Sequence, residues 1–405
     1  MPIIRTLSSY MRNHQAIYRQ LLTLAAAVTL AGAATAEEEA TLRGVYEKDF
    51  TIGVAMNGGQ ASGRNAAAGE IIGKQFSSLT AENDMKWQMI HPQEGQYRFE
   101  TSDAYVAFAE KHKMEVIGHT LVWHSQTPQW VFQGENGQPA TKEELLKRMR
   151  DHIHAVAGRY KGKIKGWDVV NEALSDGGDD ILRQSPWRRI IGDDFIDYAF
   201  RYAKEAAPDA ELYYNDYNLE IPRKRANCIT LVKGMLERGV PIDGIGTQSH
   251  FQLGFPSLDD VEATIKEFAA LGMKVMITEL DVDVLPRNNP GVADIANREQ
   301  GANPYTEGLP DDVQEKLAKR YEDIFRIYLK YRDHVTRVTF WGLDDGMTWL
   351  NGFPVRGRTN HPLLYDRQLN AKPAFHALVK LGQEERPEAA KVEVQKIEAK
   401  KEEAK

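Results

Sequence analysis

Eight short apolar runs that alternate with longer helical segments constrain the fold of this chain more than any other feature. The runs are rich in valine, isoleucine, leucine and aromatic residues, and they span 50–56, 76–83, 115–123, 164–172, 211–218, 244–251, 274–282 and 337–345. The segments between them have helical periodicity, as at 141–160, where Leu145, Met149, Ile153 and Val156 fall on one face. Strands separated by helices pair in parallel, and eight such units can close into a (β/α)8 barrel.

The polar ends of the runs favour a closed barrel over an open sheet. Nearly every run begins apolar and ends in polar or aromatic residues, at 82–83, 119–123, 171–172, 215–216, 248–250, 279–281 and 341–344. In a barrel these ends meet at one face, where the loops after the strands build active sites. The strand count alone also permits a ninth strand or an open sheet, but an open sheet would not bring all these ends together. We therefore predict an α/β protein with a single (β/α)8 TIM barrel.

The N-terminus has the pattern of an export signal. Three arginines and no acidic residue within 1–20 precede an apolar stretch at 21–34, and small residues at 34–36 have the spacing that a signal peptidase reads. An apolar stretch of about 14 residues is short for a membrane span, which is the alternative interpretation. We predict a secretory signal peptide at 1–36, export to the periplasm or the medium, and no membrane attachment after cleavage.

The C-terminus changes composition. Residues 383–405 contain seven glutamates, six lysines or arginines and no aromatic residue, so this segment cannot bury much apolar area or stack on sugars. We predict a charged, disordered tail at 383–405, a catalytic barrel at 37–382, and no carbohydrate-binding module in the tail.

The overall charge and the cysteine content exclude several classes of partner. The formal net charge is −7, which disfavours an electrostatic grip on nucleic acid. Cys228 is the only cysteine, so the chain has no internal disulfide and no thiolate metal cluster. We expect a monomer that needs no cofactor and no metal.

Two carboxylates follow buried apolar runs on the predicted fourth and seventh strands. Glu172 follows "WDVVN" and Glu279 lies in "VMITELD". Either residue alone is as compatible with capping a helix or pairing with an arginine. Opposed across the mouth of a barrel, the two fit the cleavage of an acetal, in which one protonates the leaving oxygen and the other attacks the anomeric carbon.

Five sequence blocks now identify a family resemblance. "TAENDMKW", "GHTLVWH", "WDVVNEA", "GIGTQSHF" and "ITELD" resemble the signature blocks of glycoside hydrolase family 10, the retaining endo-β-1,4-xylanases. The resemblance covers about 41–382, and five blocks in the same order are far more specific than an isolated "NE". It implies hydrolysis of internal β-1,4-xylosidic bonds by double displacement through a covalent glycosyl-enzyme, with xylan and xylo-oligosaccharides as substrates.

The resemblance implies Glu172 as the general acid/base and Glu279 as the nucleophile. His250 is placed to donate to Glu279, and Asp281, two residues further along the same strand, is placed to orient the imidazole. Asn171 would bond the 2-hydroxyl of the sugar at the cleavage point. Adjacent residues of an ideal strand face opposite sides, so Asn171 and Glu172 both reach the sugar only if the strand twists or ends there.

The same resemblance implies a set of substrate-binding residues. Glu82, Asn83 and Lys86 would bind sugar hydroxyls, His119 and Gln248 would contact the sugar at the cleavage point, Trp123 and Gln126 would form a wall, Trp341 and Trp349 would roof the cleft, and Tyr214 and Asn215 would line its mouth. Xylose lacks the hydroxymethyl arm of glucose, so bulky Gln126 and Trp349 would reject glucose sterically. His124 is equally compatible with contact and with support.

Several alternatives stay open at this level. The long polar loop at 285–310 either shapes substrate binding or is a disordered insertion. A β-glucanase or mannanase shares the chemistry, and a sugar-binding protein without activity shares the fold. A metal-dependent barrel would use His119, His124, Glu279 and Asp281, but two histidines five residues apart on one strand face opposite sides.

Overall fold

The computed structural model describes residues 40–286 and 301–384, and its strands close into a parallel barrel. The strands are β1 (Thr51–Met56), β2 (Ser78–Ala81), β3 (Glu115–Trp123), β4 (Gly166–Asn171), β5 (Glu211–Asp216), β6 (Gly244–Thr247), β7 (His250–Gln252), β8 (Lys274–Asp283) and β9 (Val335–Phe340). The strands pair in parallel around a closed ring in which β6 and β7 both pair with β8, and β9 returns to β1. The predicted single barrel is therefore confirmed.

The predicted sixth strand is divided into two pieces. β6 and β7 both pair with β8, so together they occupy one of eight positions in the barrel. Between them lie Gln248 and Ser249, and Ser249 has a left-handed backbone with φ 62°. This interruption re-aims the side chains of Gln248 and His250 at the top of the barrel. Register shifts between β3 and β4, β4 and β5, and β8 and β9 act in the same way, because a bulge changes where a side chain points.

Helices surround the strands. They are α1 (Leu42–Val45), α2 (Gly58–Ala61), α3 (Ala66–Gln75), α4 (Trp87–Ile90), α5 (Glu100–His112), α6 (Lys142–Arg159), α7 (Pro186–Ile191), α8 (Phe195–Ala206), α9 (Pro222–Glu237), α10 (Leu258–Ala269), α11 (Asp311–Lys330) and α12 (Pro373–Glu384). Short 3-10 turns span Gln129–Phe132, Glu135–Gly137 and Trp349–Asn351. No helix in the described ranges is both long and apolar enough to cross a membrane.

Helix α6 shows how sequence pattern becomes packing. Thr141 caps its N-terminus in a capping box with Glu144, which satisfies two backbone N–H groups. The predicted apolar face is fully buried against the barrel (Leu145, Met149, Ile153 and Val156). Burial of such a face stabilises the fold by roughly 1.5–3 kcal/mol for each large side chain.

The first and last helices of the described part of the chain pack against each other. The hydroxyl of Tyr46, just after α1, donates to the carbonyl oxygen of Leu378 in α12 at 2.7 Å. Gly382 approaches Val45 so closely that a Cβ on the glycine would lie 2.7 Å from it. Helix α12 ends at Glu384, two residues beyond the predicted barrel boundary. The predicted signal peptide, residues 385–405 of the predicted tail and residues 287–300 of the long loop lie outside the described residues.

The approach of Gly118 to Trp167 gives a testable prediction for the barrel core. A Cβ at Gly118 would lie 2.1 Å from the indole of Trp167, which is fully buried. We therefore expect Gly118→Ala to destabilise the protein by about 1–3 kcal/mol in urea unfolding, because the ring must shift inside a packed core. Gly158→Ala in α6 is the matched control: its Cβ meets nothing within 4 Å. That change should stabilise the helix by up to about 1 kcal/mol. Equal effects of the two changes would contradict the packing argument.

Candidate active site

A cavity of about 550 Å³ opens where the C-terminal ends of the strands meet. It is lined by Glu82, Asn83, Lys86, His119, Trp123, His124, Ser125, Gln126, Asn171, Glu172, Arg183, Tyr217, Gln248, His250, Glu279, Trp341, Trp349 and Phe353. These residues come from loops and strand ends far apart in the chain, as expected at the upper face of a barrel. All the predicted site residues are among them except Asp281, Tyr214 and Asn215.

Glu172 is the first residue after β4, and its backbone is left-handed with φ 56°. Strand β4 ends at Asn171, so the change of backbone direction lets two adjacent side chains both face the cavity. The carboxylate of Glu172 accepts from the Trp123 indole N–H at 2.8 Å and from the Gln248 amide at 2.9 Å. Burial, followed by the charges of Asp216 and Glu279, raises the pKa of Glu172 above its ordinary value.

Glu279 lies within β8 and is almost completely buried. Its carboxylate accepts from the Asn215 amide at 2.9 Å and lies 3.2 Å from Nε2 of His250. Burial alone raises the pKa of Glu279, but the hydrogen bond from His250 and the charges of His119, His250 and Lys86 outweigh it. The pKa of Glu279 is therefore lowered, and the carboxylate is stabilised in its ionised form.

A chain of amide side chains connects the two carboxylates. The Gln248 amide that donates to Glu172 also lies 3.4 Å from Oδ1 of Asn171. That same oxygen accepts from the Asn215 amide, which also donates to Glu279. The five side chains are thus held in one network across the mouth of the barrel, and both acids face the same cavity.

His250 lies between two acids. Its Nε2 faces Glu279, and its Nδ1 is 3.1 Å from Asp281. Burial lowers the pKa of His250, but the charges of Asp281 and Glu279 more than offset this and raise the pKa to about 9. Asp281 is held in turn by the indole N–H of Trp349 at 2.7 Å. Asp281 therefore does not line the cavity but contacts the imidazole nitrogen that faces away from Glu279, and its orienting role stays a prediction.

The opposite wall carries a lysine and amides. The ammonium of buried Lys86 donates to the side-chain oxygen of Asn83 at 3.0 Å and lies 4.9 Å from the ring centroid of Trp123. Gln126 also donates to Asn83, at 3.3 Å. Burial lowers the pKa of Lys86, while it raises the pKa of neighbouring Glu82. The wall therefore offers donors and acceptors that suit sugar hydroxyls.

His119 and the tryptophans complete the cavity. Nδ1 of His119 lies 2.9 Å from the carboxylate of buried Asp168, and the imidazole packs edge-on against Trp341. Trp349 stacks nearly parallel with exposed Phe353 at 5.7 Å. His124 also lines the cavity, and burial, with the nearby charge of Arg183, lowers its pKa to about 4. The position of His124 is therefore compatible with contact.

The prediction that Tyr214 and Asn215 line the mouth is wrong. Both are fully buried and neither borders the cavity. Asn215 points inward, beneath the two acids, and bonds Asn171 and Glu279. Because neighbouring strand residues face opposite sides, Tyr214 instead points outward, and its hydroxyl bonds Asp216 and backbone groups behind Glu172.

Four residues that line the cavity were not predicted from the sequence: Ser125, Arg183, Tyr217 and Phe353. Arg183 donates to the carbonyl oxygen of Glu172 at 3.2 Å and to the Tyr217 hydroxyl at 2.7 Å. Arg183 and Phe353 lie on irregular loops, where periodicity gives no signal. The "YYNDYN" block was a usable signal for Tyr217, because this residue directly follows the polar end of β5.

A parallel barrel with two carboxylates of oppositely shifted pKa, set in a cleft walled by indole rings, defines the class of barrel enzymes that cleave glycosidic bonds. The family model described as glycosyl hydrolase family 10 matches residues 41–381. The chain belongs to glycosyl hydrolase family 10, and it is a glycoside hydrolase.

Individual relatives agree with this assignment. Endo-1,4-beta-xylanase A of Xylanibacter ruminicola is 48% identical over 355 residues, covering 86% of this chain and 95% of the relative. Endo-1,4-beta-xylanase of Geobacillus stearothermophilus is 45% identical, covering 84% and 98%. Among solved structures, a GH10 endoxylanase from a sugarcane soil metagenome has a TM-score of 0.79 and 46% identity, covering 85% of this chain and 100% of its own. A mutant structure in complex with xylotriose has a TM-score of 0.78 and 41% identity, covering 84% and 99%.

Proposed function

We propose that the chain is an endo-1,4-beta-xylanase that hydrolyses internal bonds of xylan with retention of configuration. The observation that carries this proposal is the pair of acids in one cavity, Glu172 with a raised pKa and Glu279 with a lowered one. Neighbouring carboxylates whose pKa values are pushed apart suit an acid and a nucleophile respectively. The names of the relatives, and the xylotriose bound to a related structure, support xylan as the substrate.

In the first step Glu279 attacks the anomeric carbon while Glu172 gives its proton to the leaving oxygen. The glycosidic bond breaks, a covalent ester to Glu279 forms, and the shortened chain leaves as an alcohol. The imidazolium of His250 keeps Glu279 ionised before attack, and Asp281 keeps the imidazole in place. Asn171 donates to the sugar 2-hydroxyl, a contact that strengthens in the transition state.

In the second step Glu172, now a carboxylate, takes a proton from water. The water attacks the anomeric carbon, the ester to Glu279 breaks, and both acids return to their starting states. Two displacements restore the original configuration. Retaining enzymes hold their carboxyl groups roughly 5–5.5 Å apart. The amide chain through Gln248, Asn171 and Asn215, which bonds both acids, supports the proposal that the two act on one sugar.

Binding of a neutral polysaccharide relies on stacking and on hydrogen bonds to hydroxyls. In this proposal the indoles of Trp123, Trp341 and Trp349 cover the sugar rings. The polar groups that bind hydroxyls are Glu82, Asn83, Lys86, His119, Gln126 and Gln248. We propose that Gln126 and Trp349, which line the cavity, disfavour the hydroxymethyl arm of glucose by steric crowding. Discrimination by packing of this kind is worth only about 1–3 kcal/mol, so weak activity on cello-oligosaccharides accompanies the main activity.

The stereochemical course of hydrolysis tests the proposal. Proton NMR of xylohexaose during the first minutes of reaction should show the β-anomer of the product before mutarotation produces the α-anomer. An α-anomer formed first would require an inverting mechanism and would overturn the double displacement. Equal rates on xylan and carboxymethylcellulose would overturn the xylanase assignment without affecting the stereochemistry.

We also propose that the enzyme is exported and works as a monomer. Export rests on the basic, apolar and small-residue order of residues 1–36, which lie outside the described part of the chain. Both statements remain predictions from the sequence.

A further inference from the structure

The backbone of Glu172 needs an external support. A glutamate with φ 56° lies in the left-handed region, which costs roughly 1–3 kcal/mol for a residue with a side chain. Such a conformation persists only where the surroundings fix it. One support is the hydrogen bond from the Glu172 N–H to the carbonyl oxygen of Asn215 at 2.9 Å. The residues that follow Glu172 supply the rest.

A buried hydroxyl helps to hold the turn after Glu172. The backbone N–H groups of Ala173 and Leu174 both donate to the Tyr214 hydroxyl oxygen, each at 3.1 Å. The same hydroxyl donates its proton to Asp216 at 2.5 Å. Asp216 also accepts from the N–H of Leu174 at 3.2 Å. Tyr214 and Asp216 are fully buried, so water does not replace any of these bonds.

Asp216 is itself fixed by groups on the other side. Its second oxygen accepts from the Tyr217 N–H and from the ammonium of Lys224, both at 2.9 Å. Lys224 also pairs with Asp176 at 2.8 Å. An ionised Asp216 can accept all of these bonds, whereas a protonated one cannot. The Tyr214 hydroxyl therefore has one orientation, in which both lone pairs face the turn.

We propose that Tyr214 and Asp216 are positioning residues for Glu172, which aim its carboxyl at the leaving oxygen through the backbone turn without touching substrate. This inference rests on the proposed acid role of Glu172. It gives a function to the tyrosine that the sequence had assigned to the mouth of the cleft.

The charge of Asp216 acts in the same direction as its hydrogen bonds. After burial, it is the largest influence that raises the pKa of Glu172, ahead of Glu279. The other charged or titratable groups around Glu172 are Glu82, Lys86, His119, His124, Arg183, Tyr217 and His250 at the cavity, and Asp176, Tyr214 and Lys224 behind it. Removing the charge of Asp216 lowers the pKa of Glu172, so Glu172 loses its proton at a lower pH.

The test is Tyr214→Phe, assayed on two aryl xylobiosides that differ in the leaving group. A phenyl leaving group needs a proton and a dinitrophenyl group does not. We expect kcat/KM to fall about 10- to 100-fold on the phenyl substrate and on xylan, and to change less than about threefold on the dinitrophenyl substrate. Tyr213→Phe is the matched control, because that hydroxyl bonds Glu211 and not the turn. It should leave both rates unchanged.

Asp216→Asn provides the second variant. On the phenyl substrate, the fall of kcat/KM at high pH should begin at a lower pH than in the wild type, because the pKa of Glu172 is lowered. Equal losses on both substrates for Tyr214→Phe, or an unmoved basic limb for Asp216→Asn, would overturn the inference. If Tyr214→Phe does not fold, as judged by its thermal unfolding, the pH profile of Asp216→Asn decides alone. A failure of the acid assignment itself would give a different result. In that case kcat/KM of Glu172→Ala would fall as far on the dinitrophenyl substrate as on the phenyl substrate.

Discussion

Replacing Glu279 with alanine should reduce xylan hydrolysis by about four decades or more, which corresponds to ~5.5 kcal/mol of activation free energy. The reason is that, among the described residues that line the cavity, Glu279 is the carboxylate whose pKa is lowered, whereas burial raises the pKa of both Glu172 and Glu82. Glu279→Gln should be equally inactive, because the amide has the shape of the carboxylate but is not a nucleophile. Steady-state kinetics on xylan measure the loss, and calorimetric titration with xylohexaose should show that binding survives.

Chemical rescue identifies the face from which Glu279 attacks. With the dinitrophenyl xylobioside and added azide, Glu279→Ala should recover activity and form the α-xylosyl azide, since azide enters the space left by the carboxylate. Glu110→Ala, which removes an exposed glutamate paired with Lys163, is the control and should behave like the wild type. A Glu279→Ala enzyme with a near-normal rate would refute the nucleophile assignment.

Replacing Glu172 with alanine should give a loss that depends on the leaving group. On xylan, kcat/KM should fall by about 10²- to 10⁴-fold, because a proton donor is missing when the leaving oxygen needs one. On the dinitrophenyl substrate kcat/KM should stay close to the wild-type value, while kcat falls because water lacks its base in the second step. The basic limb of the pH profile should disappear, since the raised pKa of Glu172 sets it.

Azide distinguishes this variant from the previous one. In Glu172→Ala, azide should accelerate the second step and form the β-xylosyl azide, because it attacks the covalent intermediate from the opposite face. Formation of the α-azide would show that the two roles have been exchanged.

The barrel and the two acids were predictable because strand periodicity and strand ends are local properties of the sequence. Apolar runs of limited length gave the eight barrel positions, and the residues at their ends gave Glu172 and Glu279. The ambiguity over Asn171 and Glu172 was not resolvable from alternation. Its resolution depends on a left-handed residue that the pattern of side chains does not encode.

The error at Tyr214 and the missed cavity residues have two different physical causes. Tyr214 and Asn215 are neighbours on β5, so strand alternation turns only one of them towards the acids, and a shift of one position would exchange the two faces. Arg183 and Phe353 belong to loops whose positions depend on tertiary contacts. Arg183, for example, is held at the cavity by bonds to Glu172 and Tyr217 that join the loop after β4 to the loop after β5.

The direct contact of Val45 with Gly382 places the two ends of the described barrel side by side. Each of the eight units is bonded to its neighbours around a closed ring, so no unit is intrinsically first. A linker of a few residues could therefore join the two ends at this contact. With new termini opened in an exposed surface turn, the result would be a circular permutant with the same ring of strands.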